Sequence, residues 1–414
     1  MSEKKLLMRT TAGKLMAESE TGKLMVQSKC PPSVWRLDES GNYIDSIGIL
    51  RGTSNCFTPY RIDAEENVVA VFRDYSSGMP PYPFYIRKWT WGLEKVWDND
   101  WDEGWNEVHD VANDSENHII VIGVKNWVNT IEEFDADGDS LWSATLPQYG
   151  QAVTVDSSNN IYVACTRYVR KYNSAGTVQW TYDGGSGNPG FRKIGIDVNC
   201  SVYVFAGEEV RKLNDDGVLQ WSFSCCDVPP EEWGLDDLAV TSDGDVVVGG
   251  ATSYWDDYLQ ATYGTPTLIE VGWSYDVGDY GQPEEDLKSS DPVYCCTQAH
   301  TCTVDTLPPD GADWEDYWEV NTKRNLWKIK GTGVLDWGNY FNCNIRAIAV
   351  DSSEAVYLAC IRKDSKTVRK INSTGTSEVW SFDTGPGGTS YGANGILWKD
   401  SKLIVSSYHY GWPG

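Results

Sequence analysis

Short runs of β-branched and aromatic residues, separated by clusters of Asp, Ser, Asn and Gly, recur along the chain, and residues 152–183 show the pattern most clearly. There the runs AVTV, IYVAC, YVRKY and VQWTY alternate with the turn clusters DSSNN and NSAG. Runs of this length, bounded by turn residues, predict strands, and four in succession predict an antiparallel meander. The unit repeats. Its first and second strands are predicted at 61–72, 108–124, 152–165, 194–205, 238–250, 345–360 and 395–407. Its third and fourth are predicted at 34–48, 85–97, 127–142, 168–182, 210–223, 326–340 and 368–382. The pattern begins in mid-unit: SVWRLDESGNYIDSIG from Ser33 matches YVRKYNSAGTVQWTYD, and its missing first half is GILWKDSKLIVSS at 395–407.

Seven pairs of each kind predict an all-β chain folded as a seven-bladed β-propeller, closed by N- and C-terminal strands sharing one blade. Such closure removes the open sheet edges on which chains aggregate. An eighth blade would need another pair hidden in the one long interruption, 251–323, which lies within the propeller region 33–414. That insertion is far longer than ordinary connections. Its aromatic residues, among them Trp255, Tyr258, Trp273, Trp314, Tyr317 and Trp318, predict an ordered excursion or lid rather than a disordered linker.

Residues 1–32 carry a different period. Lys5-Leu6-Leu7, Lys14-Leu15-Met16 and Lys23-Leu24-Met25 recur every nine residues with Ala12-Gly13 and Thr21-Gly22 between them, and Cys30-Pro31-Pro32 follows as a stiff linker. Three short strands are predicted. So small a sheet buries too little apolar surface to stand alone, so Leu6, Leu7, Leu15, Met16, Leu24 and Met25 are the candidate assembly residues. The simpler alternative is a flexible tail.

Composition narrows the partners. A net charge of −26 repels phosphate, which argues against nucleic acid and for cations or basic protein surfaces. No apolar run reaches the ~18–20 residues of a membrane span, and the start MSEKKLLMRTTAG lacks the usual form of a signal peptide. With an odd count of 11 cysteines, this points to synthesis and folding in a reducing cytoplasm. Cys165 and Cys360, at the ends of YVAC and YLAC, are expected to be buried thiols.

The turns between third and fourth strands carry a further signature. Phe134-Asp135-Ala136-Asp137-Gly138-Asp139-Ser140-Leu141-Trp142 is matched by Asn173-Ser174-Ala175-Gly176 to Trp180, by Asn214-Asp215-Asp216-Gly217 to Trp221 and by Gly333 to Trp337. Gly375 to Trp380 and Gly92 to Trp97 are one residue longer, and Asp45 stands where the first unit should have Trp. This resembles the tryptophan-docking repeat of quinoprotein-like bacterial β-propellers, over most of 33–414 outside the insertion. The resemblance implies that the Gly allows a tight hairpin and the Trp packs between neighbouring blades, in keeping with the needs of positive φ and of a large flat side chain. Quinoprotein dehydrogenases carry adjacent cysteines beside their cofactor, as in Cys225-Cys226 or Cys295-Cys296, but no accompanying calcium and quinone ligand set is found. The nine-residue repeat ahead of a propeller is also loosely similar to virion-attached proteins of tailed bacteriophages.

A propeller fold fixes no chemistry, so candidate sites were read from residues. One rim gathers Trp101 and Trp105, Pro80-Pro81-Tyr82-Pro83, Trp233 and the insertion; with Trp255, Tyr258, Trp273, Trp314 and Trp318 these aromatics form a candidate binding face for glycan or protein, or else pack the insertion onto the rim. Cys295, Cys296, His300 and Cys302 are candidate zinc ligands, although adjacent cysteines suit one ion poorly and free thiols or a disulfide, for which Cys225-Cys226 offers a partner, compete. Asp135, Asp137 and Asp139 imitate the start of a calcium loop, but Leu146 falls where the closing Glu is needed, so an ordinary turn is preferred. His109, His118, His300 and His409 sit in no nucleophile motif, and Asp98, Asp100, Asp102 and Glu103 read as solvated acids or, less simply, as glycosidase carboxylates. The expectation is therefore a non-enzymatic binding propeller without a cofactor, anchored by its first segment among protein subunits of a virion or other surface assembly. The alternatives are an extracellular lectin-like propeller for cell-surface glycan, or a polysaccharide lyase or hydrolase.

Overall fold

The computed structural model describes residues 104–207, 209–225, 235–250, 324–341, 343–361, 366–383, 391–399 and 401–409. It also describes 34–47, 60–63, 67–73, 84–90 and 95–101, and the backbone of short strands before residue 28 and between 267 and 321. The chain is all-β and is built from four-stranded antiparallel sheets in chain order. The model unit of the sequence forms Gly150–Val155, Ile161–Cys165, Tyr168–Tyr172 and Val178–Asp183. Similar sheets run from Tyr60–Ile62 to Lys95–Trp101, from Trp105–Asn113 to Ser140–Thr145, and from Phe191–Ile196 to Leu219–Ser224. In the next, Val246–Gly250 pairs with Leu326–Ile329 across the long insertion. An eight-stranded sheet holds the rest: its two halves meet in a single bridge, Ile361 to Gly392, and Lys402–His409 lies antiparallel to Val34–Asp38.

Residue pattern explains why the sheets stack. Every position of the second strands Ile161–Cys165 and Val202–Ala206 is buried, while the fourth strands alternate between exposed and half-buried. Successive side chains of a strand face opposite sides. So Ile161, Val163 and Cys165 pack with Ile120, Ile122 and Ile131 of the preceding sheet. Tyr162 and Ala164 pack with Phe191, Val202 and Val204 of the following one. The core is thus a series of interfaces between sheets. Cys165 and Cys360 are fully buried free thiols within it, as their sequence positions predict.

Five interfaces between described sheets are pinned at the outer end by tryptophan. The ring of Trp180 lies over Gly217 of the next sheet's turn, where an added Cβ would sit 2.7 Å from the ring, and its Nε1–H donates to the Asp215 carbonyl at 2.7 Å. Trp221 does the same to Gly333 and the Gly331 carbonyl at 2.9 Å, and Trp337 to Gly375 and the Ser373 carbonyl at 3.1 Å. Trp380 stacks on Gly41 and donates to the Glu39 carbonyl at 3.1 Å, joining residues far apart in sequence. The turn glycines combine positive φ with this close approach; both exclude a side chain.

At the same end of the sheets, the turn between first and second strands is in several sheets closed by an aspartate. Asp156 Oδ1 accepts the N–H groups of Ser158 and Asn160, and Oδ2 accepts from the Tyr162 hydroxyl at 2.9 Å. Asp351 repeats this with Ser353, Ala355 and Tyr357. Burial raises the pKa of both carboxyls, but the hydrogen bonds outweigh it and hold them below the ordinary 3.8.

Residues Met8–Arg9, Leu15–Glu18 and Leu24–Gln27 form a separate antiparallel three-stranded sheet, so the nine-residue period does specify strands. Leu15, Met16, Leu24 and Met25 lie on it; Leu6 and Leu7 lie outside the described residues. The insertion contributes two small sheets, one containing Val293–Cys296 and Trp318–Asn321 and the other pairing Ser274–Tyr275 with His300–Thr301.

Two predictions follow from the packing. Gly217→Ala combines left-handed strain with collision against Trp180 and is expected to cost more than Gly185→Ala, which meets open space and should cost only about 1 kcal/mol; urea midpoints of the two variants measure the difference. For the aspartate turns, folded pKa values below the unfolded value make their stabilisation complete above about pH 4 and progressively lost as pH falls through the lowered range. Asp156→Asn should flatten the acid limb of a stability–pH curve measured by denaturant titration.

Candidate functional site

The first strands of successive sheets pack against one another around the axis, and six of them interrupt their register at the same place, whereas Tyr60–Ile62 pairs without interruption. A bulge inserts His109 between Val108 and Asp110, Gln151 between Gly150 and Ala152, and Arg192 between Phe191 and Lys193. It inserts Asp236 between Leu235 and Asp237, Arg346 between Ile345 and Ala347, and Asn394 between Ala393 and Gly395. A bulge re-aims the side chain that it carries. Here it falls on a polar residue each time. Arg346 and Asp236 pair at 3.3 Å.

One residue further along, Asp110 pairs with Arg61 at 2.9 Å and Lys193 with Asp237 at 3.6 Å. The carboxylates also join the sheets: Asp110 Oδ2 accepts the Val153 N–H at 3.0 Å, and Asp237 Oδ2 the Ile348 N–H at 2.8 Å. Burial pushes the Asp236 and Asp237 carboxyls up, opposed by Arg346 and Lys193 respectively, while Asp237 raises the Lys193 ammonium. Four cations (Arg61, Arg192, Lys193, Arg346) thus meet three carboxylates (Asp110, Asp236, Asp237) at the axis of a chain whose net charge is −26. The arrangement suits a polar or anionic group and leaves most charges already compensated.

Nearer the rim, the bulged His109 stacks on Tyr149 with ring centroids 3.9 Å apart, and its Nδ1 lies 2.6 Å from the Gly150 carbonyl. Glu107 Oε2 accepts the Tyr149 hydroxyl at 2.8 Å and lies 3.1 Å from His109 Nε2. Burial, then the Glu107 carboxylate, pushes the Tyr149 phenol up to about 12. The hairpin Lys125 to Val128 places Asn126 and Trp127 at φ 50 and 65. Positive φ suits a two-residue hairpin loop but strains a bulky residue. Trp127 is nevertheless 85% exposed, with its N–H held by Asn106 Oδ1 at 2.8 Å.

The structure redistributes the aromatics expected on this rim. Trp105 is only 5% exposed and packs with Val69, Val111, Ile119 and Phe134, so its apolar ring belongs to the core between two sheets rather than to an exposed binding face. Trp101 ends the strand Lys95–Trp101 and Trp318 opens Trp318–Asn321. Trp233, Trp255, Tyr258, Trp273 and Trp314 lie outside the described residues. Of the zinc candidates, Cys295 and Cys296 fall in one strand and His300 in another sheet, while Cys302 is outside the described residues. Asp135 Oδ1 accepts the N–H groups of Asp137 and Asp139, the same turn closure that Asn173 gives Ala175 and Thr177. This accounts for the calcium-like spacing as an ordinary hairpin. Sequence reasoning missed the bulged ring because a bulge is a register event between strands; Lys125-Asn126-Trp127-Val128 carried a signal, an Asn-led two-residue turn.

No protein-family model matches the chain, and no curated protein matches it. Among solved structures, a streptogramin B lyase aligns with a TM-score of 0.51 at 10% identity, covering 85% of this chain and 93% of the lyase. The WD40 β-propeller domain of Doa1 aligns at 0.44 and 11% identity, covering 83% and 85%. A virginiamycin B lyase from Staphylococcus aureus aligns at 0.49 and 9% identity, covering 85% and 94%. The fold is that of a β-propeller. At such identities the likeness speaks of architecture alone.

Replacing Glu107 by Gln removes the charge beside Tyr149. The Tyr149 pKa is expected to fall from about 12 yet stay above the ordinary value, because burial is the larger cause; NMR titration of ring-labelled tyrosine measures it.

Proposed function

We propose that this chain is a binding propeller of seven blades, closed where Lys402–His409 pairs with Val34–Asp38, and that its task is contact rather than catalysis. The observation that carries this reading is Trp127: a strained backbone holds a large aromatic ring almost wholly in solvent. Local strain persists only where surrounding structure enforces it, and it concentrates at functional sites. Tyr149, His109 and Glu107 extend the surface on the same rim. Exposed aromatics beside carboxylates suit sugar rings or a protein partner.

In this reading the nine-residue sheet anchors the propeller among protein subunits of a virion or other extracellular surface assembly. Its strands of two to four residues are too short for a stable independent sheet, and a partner supplies what it lacks. No helix among the described residues is long and apolar enough to cross a membrane.

A second reading rests on Asp236 and Asp237, whose raised pKa values at the axis suit acid–base chemistry on a polysaccharide. The two readings part on experiment. Under the first, Trp127→Ala weakens binding to a glycan array or to partner subunits at least tenfold, with thermal stability unchanged or improved, and Asp236→Asn leaves binding intact. Turnover of a bound polysaccharide, lost in Asp236→Asn, would establish the second. Light scattering of the full chain and of a chain lacking residues 1–30 tests the anchor: an oligomer lost on truncation supports self-assembly, whereas two monomers restrict the anchor to a heterologous partner.

A further inference from the structure

The residue opposite each docking tryptophan is a cation almost throughout. Lys171, Lys212, Lys328 and Lys370 face Trp180, Trp221, Trp337 and Trp380 across the third and fourth strands, and Lys88 is the backbone partner of Trp97. Arg36 faces Asp45 where the tryptophan is lacking. These cations neutralise aspartates at the sheet ends: Lys88 meets Asp63 at 2.8 Å, Lys212 meets Asp197 at 3.5 Å and Lys370 meets Asp351 at 3.5 Å. In the sheet starting at Trp105 the sign is reversed. Glu133 faces Trp142.

A second exchange accompanies the first. His118 stands four residues after the turn aspartate, Asp114, where Asn67 and Asn160 follow Asp63 and Asp156. His118 Nδ1 lies 3.1 Å from Asp114 Oδ2 and 2.9 Å from Glu133 Oε1, and the three ligand atoms lie within 4.8 Å of one another. Both carboxylates are only 3% exposed at the side chain. Their other oxygens are committed: Asp114 Oδ1 accepts the N–H groups of Glu116 and His118, and Glu133 Oε2 accepts Trp142 Nε1–H at 2.6 Å. Two buried negative charges therefore converge on one imidazole nitrogen, which carries at most one proton and offsets at most one charge. A buried charge without compensation is strongly destabilising. The cation that a lysine brings to the other sheets is replaced here by a third ligand.

We propose that Asp114, His118 and Glu133 form a binding site for a single divalent transition-metal ion of the zinc class. One nitrogen and two oxygens are ordinary donors for it, and neighbouring ligands at bond lengths of about 2.0–2.2 Å lie roughly 3.0–3.5 Å apart, close to the separations of the imidazole nitrogen from the two carboxylates, 3.1 and 2.9 Å. His118 Nδ1 faces the ion, while Nε2 faces Glu116 Oε2 at 3.7 Å, the outer carboxylate that orients a metal-bound imidazole. Trp142 fixes the second carboxylate in the same way. His118 is 22% exposed at the side chain, which gives an ion an entry path and lets water complete its coordination. The ion thereby replaces lysine in a structural role beneath the docking tryptophan.

The test returns this sheet to the pattern of the others with Glu133→Lys and, separately, His118→Asn. Full-length wild type and both variants are incubated with CoCl2 or ZnCl2, passed through gel filtration, and assayed for metal by mass spectrometry and for melting temperature. Wild type is expected to retain about one equivalent more than either variant, with a metal-dependent rise in melting temperature that the variants lack. The cobalt difference spectrum should show weak d–d bands without a thiolate charge-transfer band, separating this site from the cysteines. Equal metal content in all three chains, or a difference spectrum dominated by thiolate, overturns the proposal; the two variants guard against loss through misfolding of one.

Discussion

The stacking of each tryptophan on the turn glycine of the next sheet is the contact on which the rest of the arrangement depends. A four-stranded sheet has two faces to cover and, among the described residues, no helix to cover them, so it must lie against another sheet. Apolar side chains drive that approach but fix its angle only loosely, since side chains of similar size can interdigitate in several ways. The indole supplies what is missing. Its flat ring needs a partner without a Cβ, and its single N–H needs one carbonyl, so Trp180 can seat only where Gly217 and Asp215 stand together. With these seams fixed at their outer ends, the first strands meet at the axis in a repeated geometry.

The rim and the axis follow from this frame. At the axis the bulges bring forward Arg192, Asp236 and Arg346 from three different sheets. At the rim a strained hairpin keeps Trp127 in solvent while Trp105 turns inward. The two rings differ because one closes an interface between sheets and the other lies beyond its end. An aromatic residue in a rim segment is thus a packing residue or a contact residue according to its register.

Much of the frame was legible in the sequence. Turn clusters and β-branched runs located the strands in order, the glycine-to-tryptophan spacing anticipated the contacts between sheets, and the nine-residue period anticipated three strands near residues 8–27. Individual functional side chains were less legible. Trp101 and Trp105 stood out because they lie in an acidic stretch, yet burial of Trp105 depends on Val69 and Phe134, which are distant in sequence. Bulges leave no compositional mark, so the polar ring was invisible until the strands were paired. The exchange of lysine for Glu133 was visible in principle, because aligned repeats expose a reversed charge, but its meaning required the position of His118.

The pairing of Lys402–His409 with Val34–Asp38 also orders events during synthesis. The strand near residue 34 leaves the ribosome long before its partner near residue 402 exists. Throughout that interval its backbone donors and acceptors form an open edge, and the glycine at position 41 waits for an indole encoded more than three hundred residues later. Sheets in between can assemble against their neighbours as they emerge, since each meets its own tryptophan within one repeat. The pairing of these two strands is therefore a late event, and until it occurs Val34–Asp38 lacks its partner along that edge.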